Sequence, residues 1–187
     1  MNARKQAVLD AIDAANSQDP NLEDSQPAEL LYGQRMSAEL DRLFPDASDP
    51  LQIAARGQHV ERWKLARSEY PEGRAGYLTW RKAQGVHHAD VVTGLMEKNG
   101  YSADDVEAAG RMLRKQGIKR DDEVQALEDV ICFVFLKWYF APFAEKHSAE
   151  KIQSIVEKTA RKMSDQGRAR VLSEFDLPAE LAAAFQA

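Results

Sequence analysis

The stretch GQHVERW, residues 57–63, sets one imidazole among guanidinium groups. Read as helix running to about Ser68, it places Arg56, His59 and Arg62 three residues apart, close to one line on one face. A second segment, VHHAD, supplies His87, His88 and Asp90. Adjacent imidazoles point about 100° apart on a helix, so one of the two faces a given site. A third segment, LEDVICFVFL, carries Glu128 and Asp129 into the most apolar run of the chain. Asp129 starts a stripe that continues through Cys132, Phe133, Leu136 and Phe140. A carboxylate on such a stripe requires pairing, hydrogen bonding or a metal ion.

Histidine is a common metal ligand and titrates near neutrality. His59, His88 and Asp129 are therefore the candidate ligands of a divalent ion, whose identity the residues leave open. Such an ion lowers the pKa of bound water and polarises a phosphoryl group. Glu128 is the candidate general base or hydrogen-bond partner. Each also has a plainer reading: His59 bonded to a carboxylate, and Glu128 or Asp129 favoured by the positive first turn of a helix. His147, in AEKHSAEK, reads as exposed.

Between the two histidine segments lies a basic, aromatic patch. Residues 56–82 hold seven Lys or Arg against three Glu, a local excess of four positive charges in a chain that is −5 overall. Trp63, Tyr70, Tyr77 and Trp80 are interleaved. Arginine's planar fork suits phosphate and carboxylate, and aromatic rings stack on bases or guanidinium groups. Arg56, Arg62, Arg74, Tyr77 and Arg81 are thus the candidate contacts to a small anionic ligand. The alternative is an Arg–Glu surface network with aromatic anchors.

The elements that must position these groups read as helices almost throughout. Val8, Leu9, Ile12 and Ala15 form a helical stripe. Residues 17–27 read as a loop, and Pro27 suits the first position of the helix that ends before PDASDP. There Asp49 can cap a helix beginning with Pro50. EYPEGRAGY is the least regular interior segment. A helix follows from about Thr79, with a possible break at Gly85 and a stop at Asn99-Gly100. Ser102 with Asp105 is a capping-box-like start. Gly117 ends that helix, and Asp121 or Asp122 can cap the apolar one. No alternating strand pair or long repeat is visible. The expectation is one all-α domain over residues 1–187.

The 187 residues are 44% hydrophobic and 29% charged, normal for a globular protein. The net charge argues against duplex nucleic acid as a partner. One cysteine, Cys132, leaves no internal disulfide framework and fits a reducing compartment. No signal peptide or membrane span is read, so a cytoplasmic setting is expected. There is no phosphate-binding glycine loop, no HExxH and no CxxC.

AARGQHVERWKLARSEYPEGRAGYLTWR, the HHA that follows and LEDVICFVFL together resemble the uncharacterised family called domain of unknown function 4202, across essentially the whole chain. That likeness implies no mechanism. KMSDQ at 162–166 resembles a fragment of an aminoacyl-tRNA synthetase loop, but no HIGH-type motif accompanies it and the chain is too short for a synthetase. A slighter resemblance is to HD-domain metal phosphohydrolases, all-α proteins with a His, an adjacent His-Asp pair and a distant Asp. It would assign metal ligation to His59, His88 and Asp129. Residue 89, however, is Ala where that family has Asp, and Asp90 is displaced by one. The expected function is a metal-dependent hydrolase of a small phosphorylated or anionic compound. The alternative is a non-catalytic helical ligand-binding or protein-interaction module.

Overall fold

The computed structural model describes residues 2–186 and is all-α apart from one small hairpin. The chain forms two compact units, Met1–Gln116 and Gly117–Ala187. No described helix is long and apolar enough to cross a membrane.

In the first unit, α1 (Ala3–Asn16) precedes two antiparallel two-residue strands, β1 (Leu22–Glu23) and β2 (Gln26–Pro27), which pair Leu22 with Pro27 and Glu23 with Gln26. Asp24 and Ser25 both have positive φ, at 50° and 63°. That conformation matches the twist of a tight hairpin turn, and Asp tolerates it best after Gly and Asn. Two-residue strands carry no alternation, so the sequence shows only a loop here.

Helices α2 (Ala28–Leu43) and α3 (Asp49–Arg56) follow. Pro27 flanks α2 instead of occupying its first turn and has no side-chain oxygen to cap it. Asp19 does so from the preceding loop, accepting from Glu29 N at 3.0 Å. The cap of α3 is Ser48, which accepts from Leu51 N; Asp49 sits one residue inside and binds Lys5.

Helix α4 (Gly73–Lys98) runs unbroken through Gly85. Glycine is obligatory earlier, at Gly76, where a Cβ would lie 1.8 Å from Pro71 O. Helix α5 (Ala103–Leu113) starts at Ser102, which caps Asp105 N as its sequence indicates. It packs on α3 and α4, while α1 packs on α2, α3 and α4. Val8, Ile12, Met36, Leu40, Ile53, Val60, Val92, Met96 and Met112 are buried in this unit.

The second unit comprises α6 (Asp122–Val134), a π-helical turn over Phe135–Tyr139, α7 (Phe140–Ala144), α8 (Ala149–Lys162), α9 (Asp165–Glu174) and α10 (Ala179–Ala182). Asp121 caps α6 by accepting from Glu123 N and Val124 N. As its two apolar stripes require, α6 is buried on nearly every side. Val156, Val171 and Phe185 are also buried in this unit.

Candidate functional site

The helix expected to run from Pro50 to Ser68 stops at Arg56. Residues 57–61 are turns, followed by 3-10 turns at Arg62–Lys64 and Arg67–Glu69. The reason lies at Gly57 and Glu61. A Cβ on residue 57 would stand 2.4 Å from Val92 Cγ2, so glycine lets the chain press onto α4. Glu61 adopts left-handed φ of 54°, which no continuing helix allows. Its N–H is held by buried Asn16 Oδ1 at 2.9 Å.

A non-helical segment leaves carbonyls that must find donors. Helix α4 supplies them at every fourth residue, on one face. Trp80 Nε1 donates to Leu65 O at 2.9 Å. Gln84 Nε2 donates to Arg62 O and Leu65 O at 2.9 and 3.0 Å. His88 Nδ1 donates to Val60 O at 2.8 Å. His87, turned away around the helix, lies 3.7 Å from Glu61.

Beside this seam is a cavity of about 340 Å³ within the first unit. Five cationic residues line it, Arg62, Arg81, Lys82, Arg114 and Lys115, together with Gln58, His59, Gln84 and His88, and no acidic residue does; the Arg114 guanidinium lies 3.4 Å from Glu107, outside the lining. Leu78 and Val86 give it an exposed apolar edge. Arg62 also lies over the Trp80 ring, 4.7 Å from its centroid, and 3.7 Å from Glu29.

The two histidines the sequence singles out meet here, with ring centroids 6.0 Å apart. His59 Nδ1 lies 3.0 Å from Glu29 Oε2, and its ring stacks on Tyr32 at 3.9 Å. Arg62 Nη1 approaches His59 Nε2 at 3.5 Å. A guanidinium can only donate, so Nε2 is the acceptor and Nδ1 carries the proton given to Glu29. Burial, then the nearby Arg62, Lys115 and Arg81 charges, hold His59 neutral, well below its usual pKa. Burial raises Glu29 to about 7 against the pull of Arg62. His88 is pushed down to about 2, first by burial and then by His59. With Nδ1 donating to Val60, its Nε2 presents a bare lone pair. That nitrogen and Gln84 Oε1 are buried acceptors with no partner.

Of the other sequence candidates, Arg81 lines the cavity, with Tyr77 5.9 Å from its guanidinium. Arg74 is exposed and outside the lining. Arg56 is also outside it: its guanidinium grips Asp13 at 2.6 and 2.7 Å and Ser37 at 3.1 Å. Arg56, His59 and Arg62 thus do not share a helical face.

Asp129 belongs to the second unit, where its carboxylate accepts from Ser164 N, Ser164 Oγ and Gln125 Nε2. Glu128 is buried there, 3.6 Å from Lys162 Nζ. Cys132 is buried, its thiol directed at Thr159 O, and His147 is exposed. No group of three or more His, Cys, Asp or Glu suited to a metal ion occurs among the described residues.

Sequence reasoning missed Glu29, Gln84, Arg114 and Lys115 as site residues. Gln84 alone had a signal, lying four residues before His88 on α4.

A family model described only as a domain of unknown function (DUF4202) matches residues 6–184. No curated protein and no solved structure matches the chain.

Proposed function

The chain belongs to the DUF4202 family, and we propose that its cavity binds a small phosphorylated compound and hydrolyses it. The observation that carries this reading is the lining: five cationic residues and no acidic residue around about 340 Å³. Arg81 and Lys82 have no acidic partner among the described residues. Such a wall concentrates anions, and its guanidinium groups match phosphate oxygens in geometry.

The Glu29–His59 pair supports a hydrolytic step. A carboxylate on Nδ1 fixes the imidazole tautomer and stabilises the imidazolium that forms when Nε2 takes a proton. In that step a water proton passes to His59 Nε2 and the hydroxide oxygen bonds to phosphorus. The ester P–O bond breaks, and the departing oxygen takes up a proton, for net addition of water.

The divalent ion expected from the sequence would find two histidines, His59 and His88, along the cavity wall, one ligand short of a three-ligand catalytic zinc site. The cationic wall opposes an unaccompanied dication. The fitting role for such an ion is therefore as a companion to the phosphate, which would neutralise it.

A second reading, binding without turnover, draws on Arg62, which holds the position in front of His59 Nε2 at 3.5 Å. The deciding experiment titrates inorganic phosphate calorimetrically and measures phosphate release from glycerol 3-phosphate, each with and without EDTA. Binding with release supports the hydrolase. Binding alone supports the second reading, and no heat with any phosphate compound defeats both.

A further inference from the structure

We propose that Gln84 Oε1 and His88 Nε2 form a receptor for hydroxyl groups, so that the cavity selects a polyol or sugar phosphate over an alkyl phosphate. This rests on the phosphate-binding reading and adds the chemistry of the carbon portion.

The polarity of both side chains is set by backbone. Gln84 directs its amide NH2 at Arg62 O and Leu65 O, which leaves its oxygen as the free end. His88 commits Nδ1–H to Val60 O, so Nε2 carries no proton. Gln84 and His88 are each 3% exposed, and both line the cavity. Neither free acceptor has a partner.

An unmatched buried acceptor is costly, which is why nearly all such atoms in folded proteins are paired. The cationic groups on the same wall are the natural partners of a phosphate. The two acceptors instead require O–H or N–H on what is bound. One turn of α4 separates the two residues, so neighbouring hydroxyls on a short carbon chain match them. A ligand with phosphate at one end and hydroxyls at the other satisfies both halves of the wall. An alkyl phosphate would desolvate the two acceptors and return nothing.

The test uses the full chain and two esters with the same three-carbon skeleton, glycerol 3-phosphate and n-propyl phosphate, with inorganic phosphate as competitor. Glycerol 3-phosphate is expected to bind at least about tenfold more tightly than n-propyl phosphate, the discrimination of one or two buried hydrogen bonds. In His88→Asn, whose amide can still donate to Val60 O, that ratio should shrink several-fold while inorganic phosphate binds as before. Equal affinities in the wild type overturn the hydroxyl receptor but leave the phosphate site standing. A ratio unchanged in His88→Asn removes His88 from the assignment and overturns the pair. If none of the three compounds binds, the phosphate site itself falls, and this inference with it.

Discussion

His59 gives its Nδ1 proton to Glu29 across 3.0 Å, while its other ring nitrogen opens onto a cavity without a single lining carboxylate. Glu29 stands at the start of α2 and His59 in the turn after α3. Asn16 joins the two places: its amide donates to Glu29 O, and its oxygen accepts from Glu61 N. The imidazole is therefore positioned by packing on two sides, and its remaining nitrogen, Nε2, is the one that Arg62 approaches at 3.5 Å.

Glu29→Gln should lower kcat for phosphate release by about 10²-fold or more, the usual worth of a positioned proton acceptor. Inorganic phosphate should bind within a few-fold of wild type, because Glu29 is not a lining residue. A kcat that does not move would remove the carboxylate–imidazole pair from the mechanism.

Turnover should also depend on pH through Glu29. With its carboxyl raised to about 7, Glu29 is ionised above that pH and orients His59; below it, the protonated acid does not. The rate should rise through about pH 7 and level off above it. In Glu29→Gln that limb should be absent, as a pH–rate profile would reveal.

Stability should respond to pH in the opposite sense at His88. Folding depresses its pKa from 6.5 to about 2, so the unfolded chain binds a proton that the folded chain refuses below pH 6.5. Its contribution is present above 6.5 and lost as pH falls. Glu29, raised from 4.5, works the other way, favouring the fold as pH drops from about 7 towards 4.5. His88→Asn isolates the first effect. Between pH 7 and 5 the variant should lose about 2 kcal/mol less stability than wild type, measured by urea denaturation. Equal losses would mean that His88 is charged in the folded protein.

Arg81→Ala should weaken inorganic phosphate binding about tenfold at low salt, with the difference shrinking as ionic strength rises. Arg74→Ala should leave the affinity unchanged, because that side chain is exposed and off the lining. Calorimetry on both variants checks the boundary of the site; equal effects would show a diffuse patch in place of a shaped cavity.

Asp129→Ala should destabilise the second unit by about 2–4 kcal/mol, since three donors lose their buried acceptor. Thermal unfolding would check this. A variant as stable as wild type would mean that those bonds contribute nothing net.

The helical class, the Ser102 cap, an aspartate cap at 121 or 122 and the buried α6 were legible in the sequence, because periodicity and capping are local. His59 and His88 were legible as a pair for a different reason: imidazoles are few and the arginines around them are dense. What escaped was long-range. Nothing in PAELLYGQRM marks Glu29 as the partner of a histidine thirty residues on. The ligand trio expected from two histidine segments and a carboxylate on an apolar stripe joined residues of two units, and Asp129 has its own donors in the second. Arg56, His59 and Arg62 keep helical spacing, which predicts a helix beyond the Arg56 at which α3 ends. The left-handed Glu61 and its clamp by Asn16 leave no mark in that spacing.

The carbonyls of residues 60–65 fix which end of the Gln84 amide and which nitrogen of His88 look inward. If that short stretch peeled away, the amide could rotate and the ring proton could change sides. Two lone pairs would then become two N–H groups without any mutation. The site's preference among neutral functional groups is thus written in main-chain position, and moving one turn would invert it.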